Sequence, residues 1–325
     1  MQDFVLSIAG LTATGKTALA LETAKQLINE SAWEGTTIIS ADSRQVYEGL
    51  EILSGADVPT SFIERGSGRE KHYTHQSLNI QIFGISIISP QEDWSVAHFL
   101  EYAQPLISTS LEKNWLPIIM GGTGLYHQQL LEPQDTLGIK PDPQIRDQAQ
   151  SMTVEQLQDW LKKLAPKKLQ KMNRSDSLNP RRLTRAIEIS LAPPKKQSLS
   201  HPPKKSLTIG LFTNITQLEH NIAKRVEERL ENSALKEVKK TLTLDLPRHS
   251  PVLSATGVKP LRQLLTQQLP PHEAKKAWIL EEMQYAKRQL TWYNKHKPNL
   301  WIDVSTTPTD KQVSLIKESL PDPEK

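Results

Sequence analysis

The sequence predicts an α/β protein: a parallel-sheet core with a helical insertion after about residue 130. Three apolar segments read as strands, and each runs into chemically pointed residues. FVLSIAG (4–10) enters a glycine loop, TTIISADS (36–43) reaches Asp42, and WLPIIMGGTG (115–124) reaches Gly121-Gly122-Thr123. Helical patterns separate them, and alternating strands and helices build a parallel sheet with its ligand chemistry at the carboxyl ends of the strands. The loop, Asp42 and Thr123 are thereby expected on one rim.

The first strand is followed by a helical pattern with Ala20, Ala24, Leu27 and Ile28 on one stripe, and DWSVAHFLEYAQPLISTSLEKN (93–114) has the same character. Beyond 130 the pattern changes. TVEQLQDWLKKL sets Val154, Leu157, Leu161 and Leu164 at helical spacing, and NPRRLTRAIEISL (179–191) predicts a second helix. The stretch ends in APPKKQSLSHPPKK (192–205), a Pro- and Lys-rich linker. SLTIGLFTN (206–214) then predicts another buried strand, and 216–241, 258–268 and 273–295 predict helices, with at most a short one in the tail. The expected division is 1–129 with 205–325 as core and 130–204 as insertion.

The chain has 325 residues, 37% of them hydrophobic, and no cysteine. That length supports a proper core. The absence of cysteine excludes disulfides, thiolate catalysis and cysteine-ligated metal sites. No apolar run approaches the roughly 20 residues of a membrane span, and Asp3 sits where a signal peptide is basic, so a cytoplasmic protein without membrane partners is the expectation. Net charge is +4, but the distribution is uneven: Lys and Arg crowd the stretch from Lys162 to Lys205 against only Asp176 and Glu188. Such a segment suits a polyanion, or serves as a solvated lysine-rich face.

The glycine loop is G-x-x-x-x-G-K-T: Gly10, Leu11, Thr12, Ala13, Thr14, Gly15, Lys16 and Thr17. Two glycines let successive N–H groups face an anion at a helix N-terminus. Lys16 adds a point charge, and the Thr17 hydroxyl is placed to ligate Mg²⁺. The core is therefore expected to resemble P-loop NTPases. Most such loops hold ATP, yet the strand after residue 115 ends in Gly-Gly-Thr where a kinase or ATPase carries an acid. The loop thus indicates a diphosphate or triphosphate, and Asp42 suits either a metal-proximal acid or a general base.

ISADSRQVYEGLEI (39–52) resembles the D-S-x-Q-V-Y motif of tRNA dimethylallyltransferases. GGTGLY (121–126), DPQIR (142–146), NPRRLTRAIEI (179–189), IAKRVEERL (222–230) and YAKRQLTWY (285–293) are similar to further motifs of that family, in the same order. The resemblance covers about residues 4–303. It implies that the loop, with Mg²⁺, holds dimethylallyl diphosphate, and that the N6 amine of an adenosine 3′ of the anticodon displaces the diphosphate. Lys16, Thr17 and Arg225 would hold the leaving group, and Asp42 would orient the amine and take its proton. The partner would be the tRNA anticodon stem-loop. Asp42, Ser43, Arg44 and Gln45 would receive the flipped adenine, and Thr123, Arg146, Arg181, Arg182, Leu183, Thr184 and Arg185 would contact the tRNA.

Three segments depart from the family pattern. EILSGADVPT stands where G-T-A-K-P is usual, with Asp57 near the expected lysine. The H-H-L-I-D segment is lost, and I-G-Y-K reads Thr256-Gly257-Val258-Lys259. With no cysteine for a zinc-finger tail, a bacterial or organellar type is expected, acting as a monomer. Two alternatives stay open: a relative that prenylates free adenine nucleotides, and a P-loop nucleotide kinase or RNA-binding protein. The basic insertion favours tRNA, since a mononucleotide needs no long positive surface.

Overall fold

The computed structural model describes residues 3–134, 139, 141–193, 202–247 and 250–321. Most of the Pro/Lys linker, with Lys195 and Lys196, lies outside the described residues. The chain divides into two compact units, Met1–Glu132 with Pro202–Lys325, and Pro133–His201.

The elements of the larger unit begin with β1 (Phe4–Gly10), α1 (Lys16–Asn29), β2 (Gly35–Ser40), α2 (Glu51–Ser54), β3 (Phe62–Arg65), β4 (His72–His75) and β5 (Ile80–Phe83). They continue with α3 (Val96–Glu112), β6 (Trp115–Met120) and α4 (Gly124–Leu131). The smaller unit supplies α5 (Pro143–Gln150), α6 (Val154–Leu164), α7 (Pro166–Lys171), α8 (Arg174–Ser177) and α9 (Pro180–Leu191). The larger unit then resumes with β7 (Lys205–Phe212), α10 (Ile215–Glu231), α11 (Ala234–Thr241), α12 (Val258–Leu265), α13 (Pro271–Lys295), β8 (Leu300–Asp303) and α14 (Thr309–Ser319).

One eight-stranded sheet runs β3-β4-β5-β2-β6-β1-β7-β8. Its interior is parallel, because the strands β2, β6, β1 and β7 are joined by helical crossovers. Every residue of β1 and β2 is buried, as continuous apolar strands covered on both faces should be. Leu6, Ile8, Ile38, Ile118 and Ile209 form the centre of the core, with Leu19, Ala20, Ala24 and Leu27 of α1 packed on it. The expected P-loop-like α/β class is the observed one.

Besides the unexpected edge strand β8, two features differ from the sequence expectation. The sheet continues beyond β2 through β5 and the antiparallel pair β4 and β3. These are four-residue strands, too short and polar (HYTH in β4) to give a periodic signal. The expected helix over 216–241 is two helices: α10 closes on its C-cap Asn232, and Ser233, with a left-handed φ of 81°, is the N-cap of α11.

The smaller unit has its own core of Ala149, Leu157, Leu161, Leu183, Ala186 and Ile187. A Thr153 capping box opens α6, and the Asn179 side chain opens α9 by accepting from Arg181 and Arg182 N–H.

Candidate active site

The carboxyl ends of β1, β2 and β6 meet around a cavity of about 870 Å³. Its walls include Lys16, Asp42, Gly122, Arg225, Tyr285 and Gln289. Three strand ends of neighbouring parallel strands therefore deliver the loop, the acid and the Gly-Gly-Thr turn to one place.

The loop is held from below and from the side. Gly10 has φ of +137°, and a Cβ there would lie 2.3 Å from Leu211 O on the adjacent β7, so only glycine fits. Leu11 N–H donates to Leu211 O at 3.0 Å, and Thr14 Oγ1 donates to Leu11 O at 2.8 Å. Asn221 of α10 donates to Ala13 O at 3.1 Å. Gly15 caps α1 in the left-handed region, aiming the first N–H groups of that helix at the cavity.

Lys16 folds back onto the loop, its Nζ donating to Leu11 O at 2.6 Å. Burial, and then the nearby Arg225, push its pKa down to about 8, while Asp42 and Glu282 oppose the change. Thr17 Oγ1 donates only to Met120 Sδ, at 3.5 Å. That thioether is a weak acceptor, so the hydroxyl has a strong ligand to gain.

Asp42 performs the ordinary turn role and lines the cavity as well. Its Oδ1 accepts from Arg44 N–H at 2.8 Å and from Gln45 N–H at 3.4 Å, and Oδ2 carries neither bond. Ser43 N–H donates to Thr123 Oγ1 at 3.2 Å, and Thr123 N–H donates to Ala41 O at 3.2 Å, so the second and third rims are stitched together. Gln45 reaches back to Ser40 and across to Gly55 O. Arg44 donates to Ser254 Oγ at 3.2 Å. Asp42, Ser43, Arg44, Gln45 and Thr123 thus form one connected surface beside the loop.

Helices α10 and α13 close the other side. Arg225 donates from Nη1 to Thr12 Oγ1 at 3.2 Å and stands 4.0 Å from the Asp57 carboxylate. Its neighbour Arg229 is buried and paired with Glu282 at 3.1 Å. Glu228, three positions beyond Arg225, pairs with Lys224, and Arg229 pairs with Glu282. Burial, and then Arg229, lower the Arg225 pKa to about 10. A Cβ on Gly55 would fall 2.2 Å from Arg229 Nη2 and 2.4 Å from Arg225 Nη2, so both guanidinium groups rest against that glycine.

On α13, Trp278, Glu282, Ala286, Gln289 and Tyr293 form the buried stripe. Sequence reading did not single out Glu282 or Gln289. The available signal was two polar residues in register with apolar ones on a helix face, a pattern that requires partners inside. Burial raises the Tyr285 hydroxyl pKa, and nearby Asp42 adds to that. Trp292 is half-buried and stacked on His296 at 4.4 Å. Lys287 and Arg288 are exposed beside it.

Thr17 and Asp42 line one cavity, and oxygen donors of this kind would suit a hard cation that takes its remaining ligands from phosphate and water. Among the described residues no cluster of three or more His, Asp or Glu offers a metal cage. Also among them, no helix is long and apolar enough to cross a membrane.

In the smaller unit, Glu188 is buried and gathers Arg146 (2.8 Å) and Arg185 (3.0 Å), with Asp142 N–H at 3.2 Å. Arg182 pairs with Asp176, and Arg185 also donates to Ile139 O at 2.7 Å. Arg181 is exposed. Leu183 lies wholly in the core, so its side chain is a packing group rather than a surface contact. Thr184 donates to Pro180 O within its own helix.

A family model described as IPP transferase matches residues 64–296. A tRNA dimethylallyltransferase of Acetivibrio thermocellus is 32% identical over 322 residues, covering 96% of this chain and 95% of that one. One from Acaryochloris marina is 31% identical, covering 94% and 95%. The crystal structure of the full-length tRNA isopentenylpyrophosphate transferase from Bacillus halodurans superposes with a TM-score of 0.66 at 29% identity, covering 98% of this chain and 95% of its own. A eukaryotic dimethylallyltransferase acting on tRNA shares the fold, with a TM-score of 0.75 at 21% identity, over 97% of this chain and 79% of its own.

Proposed function

We propose, because the chain belongs to the IPP transferase family, that it transfers a dimethylallyl group from dimethylallyl diphosphate to tRNA. The acceptor is the N6 amine of the adenosine 3′ of the anticodon, and diphosphate is released. The observation that carries this reading is the convergence of the Gly10–Thr17 loop, Arg225 and Asp42 on one cavity. The C–N bond forms at the allylic carbon as the C–O bond breaks, and the bonding pair departs with the diphosphate. Loop N–H groups, Lys16 and Arg225 face the charge that develops there, and so stabilise the transition state more than the ground state. An adenine amine is a poor nucleophile, and Asp42 is the carboxylate placed to orient it and accept its proton. A Mg²⁺ ion held by Thr17, when bound, would neutralise part of the leaving-group charge.

The acceptor base lies in an RNA loop, where unstacking it costs little. Ser43, Arg44, Gln45, Thr123 and Tyr285 form the surface next to Asp42 that would receive it. Arg146, Arg181, Arg182 and Arg185, with the preceding lysines, would supply phosphate contacts. The decisive experiment incubates the purified protein with labelled dimethylallyl diphosphate and an anticodon stem-loop carrying adenosines after the anticodon. Label is expected in that RNA. Label in free AMP and not in the RNA overturns the reading.

A further inference from the structure

We infer that Gln289 is a positioning residue, a strut that sets the distance between the phosphate loop and the acid-bearing rim. The inference rests on the proposed transfer reaction, and deepens it. Gln289 is 4% exposed. Its Oε1 accepts from Thr12 N–H at 2.8 Å, and its Nε2 donates to Gly122 O at 3.0 Å. One amide therefore joins the turn after β1 to the turn after β6, although the two are separated along the chain by more than a hundred residues.

The line continues past Gly122. Thr123 Oγ1 accepts from Ser43 N–H, and Thr123 N–H donates to Ala41 O. A chain of hydrogen bonds thus runs from Thr12 through Gln289 and the Gly122–Thr123 turn to the residues on both sides of Asp42. Gly122 is part of the device: a Cβ there would sit 2.3 Å from Gln289 Nε2, so only glycine allows the amide to approach. Tyr285, one turn earlier on α13, brings its hydroxyl to the same glycine, at 3.3 Å from such a Cβ.

With both polar atoms committed to main chain, the amide acts on the reaction through the geometry of others. The leaving group sits on one end of the line, and the attacking amine is oriented at the other. Displacements of about 1 Å between reacting groups cost on the order of a hundredfold in rate. Loss of the strut should therefore appear in kcat rather than in KM.

The test compares wild type, Gln289→Met and Gln289→Glu in the full chain. Gln289→Met keeps the volume and removes both bonds. It is expected to lower kcat by about 10- to 100-fold, with KM for either substrate within about threefold. Gln289→Glu supplies the discriminating readout. A protonated carboxyl presents a C=O to Thr12 and an O–H to Gly122, as the amide does. An ionised one still accepts from Thr12 and repels Gly122 O. The ratio of variant to wild-type kcat is expected to rise as pH falls through the pKa of the new carboxyl. A ratio independent of pH, or an unchanged kcat in Gln289→Met, overturns the inference.

Amide hydrogen exchange reads the same strut without turnover. In Gln289→Met, exchange should quicken together at residues 10–15 and 121–125, and quickening at one turn alone overturns the strut. Absence of transfer by wild type would sink the proposed reaction, whereas the exchange result would still decide the role of Gln289.

Discussion

The Arg229 guanidinium donates to Glu282 Oε1 across 3.1 Å, and both side chains are almost wholly buried. Arg225 lies one helical turn from Arg229, so without Glu282 two positive charges would face each other at the wall of an anion site. Thr256 and Thr12 donate to the same carboxylate, at 2.8 and 3.5 Å. Glu282→Ala therefore leaves a buried charge uncompensated, which costs about 3–5 kcal/mol. A fall of that size in the unfolding free energy extrapolated from urea titration is expected. The double variant Arg229→Met/Glu282→Leu should recover most of the stability, since it removes both charges together. Equal loss in the double variant would show that the pair itself, rather than its uncompensated half, carries the stability.

Lys16 gives the site a pH dependence of defined sign. Its pKa is lowered to about 8, so the ammonium is present below that pH and lost as pH rises through it. An anion binds the ammonium form, so affinity for diphosphate should fall above pH 8, by up to about tenfold per pH unit. The linked effect on folding has the opposite sign: the unfolded chain holds the proton more tightly, so this group's contribution to stability rises with pH from about 8 towards its ordinary value of 10.5. Calorimetric titration with inorganic diphosphate between pH 6.5 and 9.5 measures the first effect. Lys16→Arg stays charged throughout, and its curve should lack the step that wild type shows near pH 8.

Much of this arrangement was legible in the residues because it depends on local chemistry. The Gly10–Thr17 loop, the β2 end at Asp42 and the Gly121–Thr123 turn are each contiguous, and parallel-sheet topology brings strand ends together without knowledge of side-chain packing. The illegible part is non-contiguous. Gln289 meets Thr12 across 277 positions, and Glu282 meets Arg229 across 53. Nothing in either segment's own periodicity specifies such partners. Asp57 was visible as an acid in an unexpected place, but only the fold sets it opposite Arg225. Arg182 and Arg185 lie on one helical face as their spacing requires. Their acidic partners Asp176 and Glu188 show why a run of arginines does not translate directly into free positive charge.

Glu188 should make the smaller unit acid-sensitive. Burial alone would raise its pKa, yet hydrogen bonds from Arg146 and Arg185 outweigh it and hold the carboxyl below its ordinary value of 4.5. A depressed acid contributes stability that is complete above the unfolded pKa and disappears as pH falls through the folded one. Melting of this unit, followed by the fluorescence of Trp160 in a variant lacking the other tryptophans, should lose stability below about pH 4.5. Glu188→Gln is expected to be less stable at pH 7 and flatter in acid. Parallel curves for the two proteins would remove Glu188 as the source.

Asp42 is where turn geometry and proposed chemistry coincide, and its substitution must separate them. Oδ1 closes the turn on Arg44 and Gln45 N–H. Asn in its place keeps an oxygen for those bonds and gives up the basic carboxylate. Asp42→Asn is therefore expected to fold with near-normal melting temperature and to bind the anticodon stem-loop within about threefold of wild type, while kcat falls by about 10²- to 10⁴-fold. Asp42→Ala, which also loses the turn bonds, should add a stability loss of about 1 kcal/mol. Single-turnover rates with saturating RNA and donor provide the comparison. If Asn supports wild-type turnover while Ala does not, the residue is a turn former, and the base must be sought among the other groups on the cavity.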